Sequence, residues 1–136
     1  MSQVVVAKIG TSSITDDHGD IDVAAVAKFC TEVAHLRSAG HRVVAPDMPG
    51  FGRSDKPKKE SAHHFLWHRQ VLLELVEHLS LERVVLVVQD WGGLLGLTLP
   101  MAAPTRYRGL LVMNTTLATG DQPLTPGFLA LREMCA

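Results

Sequence analysis

The sequence has little of several features that define particular protein classes. Only two of its 136 residues are cysteines, and Cys30 and Cys135 lie too far apart for a CxxC metal or redox motif. The formal net charge is −1, so no positive excess supports nucleic-acid binding. Charged residues or prolines interrupt every apolar run well short of the roughly 18 residues that a membrane span needs. We therefore expect no nucleic-acid partner, no membrane partner, no metal and no cofactor.

The overall composition is that of one ordinary globular domain. Hydrophobic residues make up 46% of the chain and charged residues 20%, and the length suits a single domain. Unpaired cysteines are typical of a reducing cytosol, so we expect a cytoplasmic protein, or one expressed recombinantly, with a buried Cys30 thiol. The first nine residues are too short and too weakly basic for a signal peptide.

Apolar segments of strand length alternate along the chain with amphipathic segments of helix length. Asp22 and Gly40 have the residue types that begin and end helices, and Ser61 is a second candidate N-cap. Because residues 83–89 lack alternation, we expect that strand to be buried on both faces. Strands are predicted at residues 3–9, 41–45, 83–89 and 107–114, and helices at 23–38, 62–79, 93–103 and 126–133.

The order β-α-β-α-β-α-β predicts a Rossmann-like, three-layer α/β/α sandwich with a four-stranded parallel sheet. We expect the strand order 2-1-3-4, because it buries the two most apolar strands. Ligands in such sheets bind beyond the carboxyl ends of the strands, at the switch point between the first and third strands. Two candidate loops, residues 10–13 and 90–93, follow these strands.

Three runs in the second part of the chain resemble haloalkane dehalogenases of the α/β-hydrolase fold. They are APDMPGFGRSDKP (45–57), VVQDWGGLLGLTL (87–99) and LVMN (111–114). The resemblance implies a partial α/β-hydrolase core with Asp90 as the nucleophile, carried on a sharp strand-to-helix turn. It also implies that Trp91 donates its indole N–H to the departing halide. From the residues alone, Asp90 could equally be a helix N-cap.

A complete hydrolytic cycle needs more than the nucleophile. A histidine base, oriented by a second carboxylate, must activate the water that cleaves the ester intermediate. The resemblance places these groups beyond the fourth strand, and none of the seven histidines matches the catalytic one. His64 and His68 are spaced to share a helix face, but two ligands alone make a poor metal site. We therefore expect an incomplete active site and no turnover.

The N-terminal part resembles a different family. The runs VVVAKIGTSSIT (4–15) and AHLRSAGHRVV (34–44) resemble the N-terminus of glutamate 5-kinase, an amino-acid kinase. This resemblance implies a weak phosphate-binding loop at Lys8–Ser13, in which Lys8, Gly10, Thr11 and Ser12 contact the anion. A glycine turn with solvated hydroxyls explains the same residues.

Three hypotheses follow, because the two resemblances meet within the second strand. The first is a recombinant or artificial chimera, folded as one domain without a complete active site, with a kinase-like β-α unit (1–44), a hydrolase-like unit (45–114) and a tail or short helix (115–136). The second is a residual dehalogenase-like hydrolase that uses Asp90. The third is an anion-binding module at Lys8–Ser13. We also expect a homodimer, because strand 107–114 would be an apolar sheet edge.

Overall fold

The structure is a computed structural model that describes residues 4–6, 14–115, 117, 121 and 123–134. Helices follow strands along most of the chain, with 3₁₀ turns at Glu60–Ala62 and Pro104–Arg106. The strands are β1 (Val4–Val6), β2 (Arg42–Val44), β3 (Val84–Gln89) and β4 (Tyr107–Met113). The helices are α1 (Val23–Ser38), α2 (Phe65–His78), α3 (Trp91–Gly96), α4 (Thr98–Ala102) and α5 (Pro126–Met134).

The sheet is parallel throughout, which confirms the α/β class. The strands are arranged in the order β2-β1-β3-β4. Val4 pairs with Arg42 on one side and with Val84 on the other, so β1 lies between β2 and β3. β4 pairs with β3 through Met113, opposite Gln89. The carboxyl ends of β3 and β4 therefore lie side by side.

The core lies on one face of β3. Val84, Leu86 and Val88 are buried and form one cluster with Leu81, and Leu99 of α4 is also buried. The residues between them on β3 are only half-buried, so the expectation of full burial on both faces was wrong. Right-handed crossovers put α1 on the second face, and none of its sixteen residues, all of them described, is fully buried. One loosely packed helix covers that face incompletely.

The two ends of α1 are formed by the residues that the sequence pattern predicts. Asp22 accepts a hydrogen bond from the backbone N–H of Ala25 at 3.0 Å, as expected of an N-cap. Gly40 follows the last turn at φ +84°, a conformation that glycine adopts without steric cost. The prediction for Cys30 was wrong, because this residue is exposed on α1.

The next helices differ from their predicted bounds. α2 begins at Phe65, and its N-cap is His64 instead of Ser61: Nδ1 of His64 accepts from the Trp67 N–H at 3.2 Å. The helix predicted at 93–103 is two short helices that meet at Leu97. Pro100 has no N–H to continue the first helix, but it is tolerated in the first turn of α4. In the described part of the chain, no helix combines the length and apolarity needed to span a bilayer.

Candidate active site at the turn between β3 and α3

Asp90 connects β3 to α3 in a conformation that L residues rarely adopt. Its backbone has φ 50° and ψ −130°. A non-glycine residue in such a region costs on the order of 1–3 kcal/mol and persists only where surrounding contacts impose it. A strained turn from strand to helix is the feature that lifts a nucleophile clear of the sheet in α/β hydrolases.

The carboxylate of Asp90 does not cap the helix that follows. Asp90 occupies the N-cap position of α3 but makes no side-chain cap hydrogen bond, whereas Asp22 caps α1 with its carboxylate. The side chain of Asp90 is exposed. The explanation of Asp90 as a simple helix cap was therefore wrong, and its side chain lies exposed at the carboxyl edge of the sheet.

The backbone of Asp90 is held from two directions. Its carbonyl oxygen accepts from the N–H groups of Gly93 at 2.8 Å and Leu94 at 3.3 Å, both in α3. The same oxygen accepts from Oγ1 of Thr115 at 2.8 Å. The N–H of Asp90 donates to the carbonyl of Asn114 at 3.3 Å. The turn is thus tied both to its own helix and to the chain that leaves β4.

Two glycines allow α3 to approach the sheet. A Cβ on Gly93 would overlap the side chain of Thr115, and a Cβ on Gly96 would stand 2.6 Å from Cγ1 of Val88. Both positions are buried. Glycine at these positions is therefore required by close packing, and the packing fixes where α3 begins relative to Asp90.

Comparison with known proteins agrees with this geometry. The model of the alpha/beta hydrolase fold family matches residues 19–133. The chain belongs to the alpha/beta hydrolase fold family. Among curated relatives of this hydrolase-fold chain, the haloalkane dehalogenase of Psychrobacter cryohalolentis is 45% identical over 93 residues, or 68% of the chain and 31% of that protein.

Two further relatives carry the same description. The haloalkane dehalogenase of Mycolicibacterium paratuberculosis is 42% identical over 104 residues, covering 76% of this chain and 35% of its own length. The tetrameric haloalkane dehalogenase DpaA of Paraglaciecola agarilytica NO2 superposes with a TM-score of 0.74 at 39% identity, over 97% of this chain and 41% of that one. This hydrolase-fold chain thus spans about a third of the length of the curated relatives it matches.

The comparisons give no support to a glutamate 5-kinase segment or to a chimera. The family match begins at residue 19, so α1 and β2 lie inside the hydrolase span instead of before it. The predicted boundary between residues 44 and 45 reflects a pattern common to many α/β proteins: an amphipathic helix, a glycine and an apolar strand. The predicted anion-binding residues Lys8, Gly10, Thr11 and Ser12 lie outside the described part of the chain.

Trp91 lies directly beside the candidate nucleophile. It is the first residue of α3, and its side chain is 63% exposed. The indole is therefore open to solvent next to the exposed carboxylate of Asp90. Asp90 and Trp91 are neighbours in the sequence, so their proximity is not a test of the predicted pair, and their roles in a reaction stay predictions.

Histidines cluster around the start of α2 without forming a metal site. The ring centroids of His63 and His68 are 5.8 Å apart, and the Trp67 ring lies 4.9 Å from that of His68. Burial, followed by the nearby His63 and His64, lowers the pKa of His68. Within the described residues, no group of three histidine, cysteine or acidic side chains could hold a metal ion.

A cleft of about 310 Å³ lies away from Asp90, between α2 and the residues that lead into β4. Leu73, Val76 and Tyr107 are among its lining residues. Because all strands are parallel, the start of β4 lies at the sheet edge opposite the end of β3. This cleft is therefore not positioned to hold a substrate for Asp90.

Sequence reasoning missed Asn114 and Thr115. Residues 115–136 were predicted to be an irregular tail or a short helix without a role at the site, yet Asn114 and Thr115 both bond to the backbone of Asp90. The available signal was the LVMN run, which ends at Asn114 at the carboxyl edge of the sheet. Asn114 and Thr115 are polar and follow a strand predicted to lie next to β3, which was a reason to expect them beside Asp90.

Proposed function

We propose that Asp90 is the nucleophile of a haloalkane dehalogenase-like hydrolase, and that this chain performs the ester-forming step of that reaction. The observation that carries the proposal is the strained backbone of Asp90 together with a carboxylate that caps no helix. The similarity to haloalkane dehalogenases supports the choice of substrate class. The proposal places Asp90 at the carboxyl edge of a three-layer α/β/α sandwich.

The proposed step is a displacement at carbon. A carboxylate oxygen of Asp90 attacks the carbon that bears the halogen, and a C–O bond forms as the carbon–halogen bond breaks. The bonding electron pair leaves with the halide, and Asp90 becomes an alkyl ester. Trp91 would donate its indole N–H to the departing halide. The exposed position of both side chains allows a substrate to approach them from solvent.

Release of the alcohol product is a separate step. It requires a water molecule activated by a histidine that a second carboxylate orients. We assign neither of these groups to a residue of this chain, because the described histidines gather at the start of α2 or lie on helices and turns elsewhere. The proposal for this chain is therefore covalent capture of the alkyl group and does not extend to complete turnover.

The test is alkylation of Asp90 by 1,2-dibromoethane. Because Cys30 is exposed and thiols react readily with this reagent, both cysteines are first replaced by serine. Intact-mass spectrometry should then show one bromoethyl adduct, peptide mapping should place it on Asp90, and one equivalent of bromide should be released.

Two variants serve as controls for the alkylation. Asp90→Asn removes the nucleophile with little change in shape and should take no adduct. Asp55→Asn removes another exposed carboxylate and should react like the parent. An unmodified mass for the parent, or equal labelling of Asp90 and other carboxylates, would exclude the proposed function.

A further inference from the structure

Thr115 lies outside β3 and α3, and its side chain bonds to the backbone of the proposed nucleophile. Its Oγ1 donates to the Asp90 carbonyl at 2.8 Å, and the preceding carbonyl, that of Asn114, accepts from the Asp90 N–H at 3.3 Å. Two successive residues thus hold the peptide groups on both sides of the Asp90 Cα.

The packing around Thr115 is as specific as its hydrogen bond. Gly93 has no Cβ, and the Thr115 side chain occupies the space that a Cβ would fill. Thr115 is itself partly buried. Its hydroxyl is therefore fixed against the first turn of α3, where the Gly93 N–H donates to the same Asp90 oxygen.

The backbone of Asn114 directs the chain toward Asp90. Asn114 has φ 41°, in the left-handed region that asparagine enters more readily than most residues. This turn ends β4 and places Thr115 against Asp90, the residue that follows β3. Asp90 and Asn114, which are joined by a backbone hydrogen bond, thus both have positive φ angles.

The hydrogen bond of Thr115 also sets a direction at the site. The peptide between Asp90 and Trp91 is trans, so its C=O and N–H point to opposite sides of a rigid plane. Holding the Asp90 carbonyl toward Thr115 therefore aims the Trp91 backbone N–H away from Thr115. The same bond adds to those that the Gly93 and Leu94 N–H groups make to this carbonyl, so it helps to hold Asp90 in its strained conformation.

We propose that Thr115 is a positioning residue for Asp90, whose hydroxyl holds the strained turn in the geometry that attack on the substrate requires. This inference rests on the proposed function of Asp90. It predicts that the hydroxyl matters for the rate of alkylation more than for binding of the halide-bearing reagent.

The experiment compares Thr115→Val, which keeps the shape and removes the hydroxyl, with Thr115→Ser, which keeps the hydroxyl. Both are made in the cysteine-free chain and reacted with 1,2-dibromoethane. We expect Thr115→Val to lower the maximal alkylation rate roughly 5-fold, the effect of one ordinary hydrogen bond, with an unchanged half-saturating concentration. The maximal alkylation rate of Thr115→Ser should stay within about 2-fold of the parental rate, a difference well below the effect of losing one such hydrogen bond.

Thr98 provides a matched control. Its Oγ1 donates to the Leu95 carbonyl at 2.6 Å, so Thr98→Val removes a threonine hydroxyl-to-carbonyl bond at the junction of α3 and α4 without touching Asp90. This variant should lose stability but alkylate at the parental rate. Equal rates for Thr115→Val and the parent, or a Thr115→Ser variant as slow as Thr115→Val, would overturn the inference.

A second measurement keeps the inference separable from the proposed function. If the parent chain takes no adduct, the proposed function fails, and Thr115 is judged by amide hydrogen exchange. The N–H groups of Gly93 and Leu94 donate to the carbonyl that Thr115 holds, so they should exchange faster in Thr115→Val than in Thr115→Ser. Identical exchange rates of these amides in Thr115→Val and Thr115→Ser would overturn the role of Thr115, whether or not the chain is alkylated.

Discussion

Gly96 lies so close to Val88 that a Cβ at this glycine would stand 2.6 Å from Cγ1 of the valine. Both residues are buried where α3 crosses β3. Protein interiors are packed about as densely as organic crystals, so this contact leaves no room for one more carbon. The distance between helix and strand, and with it the height of Asp90 above the sheet, depends on this pair.

Substituting Gly96→Ala should therefore destabilise the protein. Overpacking costs typically 1–3 kcal/mol, and the better helix propensity of alanine returns up to about 1 kcal/mol, so we expect a net loss of about 1 kcal/mol in the free energy of unfolding. Urea denaturation measures it. Gly127→Ala is the control, because no atom lies within 4 Å of a Cβ there; a similar loss in both variants would contradict the packing argument.

Replacing Asp90 by glycine should make the protein more stable and abolish its alkylation. Asp90→Gly places a residue without a Cβ at φ 50°, and we expect the free energy of unfolding to rise by about 1 kcal/mol after the entropy of glycine is subtracted. Alkylation should be lost. Ser80→Gly, at φ 48°, should also stabilise the chain but keep the adduct. An Asp90→Gly variant less stable than the parent would show that the turn carries no strain.

The pH dependence of stability should contain a contribution from His68. Burial, then His63 and His64, lower the pKa of His68 below its ordinary value of 6.5, so the unfolded chain binds the proton more readily than the folded chain. The resulting stability is present above about pH 6.5 and is lost as the pH falls through the folded-state pKa. Melting temperatures between about pH 5 and 7.5 should fall less steeply on acidification in His68→Gln.

The control for this titration is His68→Asn, a second neutral replacement, which should show the same reduced slope as His68→Gln. Nδ1 of His68 is also buried without a hydrogen-bond partner among the described residues, which is consistent with a ring that stays neutral. If His68→Gln and the parent lost stability equally on acidification, another group would be responsible.

Self-association through β4 remains a proposal with a direct test. β4 is the edge strand of the sheet that the described residues form, and Leu110, Leu111 and Val112 are each about half exposed. Apolar edges invite pairing, and lysine on an edge opposes it. We expect a homodimer by size-exclusion chromatography with light scattering, and a monomer for Leu111→Lys. Met101→Lys, at another exposed apolar residue, should remain dimeric; a monomeric parent chain would refute the proposal.

The α/β class could be predicted because its signals are local. Asp22 needs only the N–H of Ala25, three residues away, to begin α1, and Gly40 needs only its own conformational freedom to end it. The apolar run of β3 likewise predicts a buried strand without knowledge of its neighbours. Such signals depend on residues within one or two helical turns, so they can be read from the sequence.

The remaining features depend on contacts between distant residues. Asp90 was identified from its surrounding run, but its strained backbone and its exposed side chain belong to a turn held partly by Thr115, 25 residues later. The exposure of Cys30 depends on how loosely α1 packs. The capping of α2 by His64 instead of Ser61 depends on a short 3₁₀ turn that intervenes. None of these follows from periodicity alone.

The central position of β1 has a consequence for synthesis of the chain. Val4 is translated before both strands that flank it, because its partners are Arg42 and Val84. On the ribosome, β1 can join β2 first, but its other edge stays unpaired until β3 emerges. The nascent chain must therefore keep that edge from aggregating until β3 is made. The last pairing to form around β1 is the one with β3, the strand that carries Asp90 at its end.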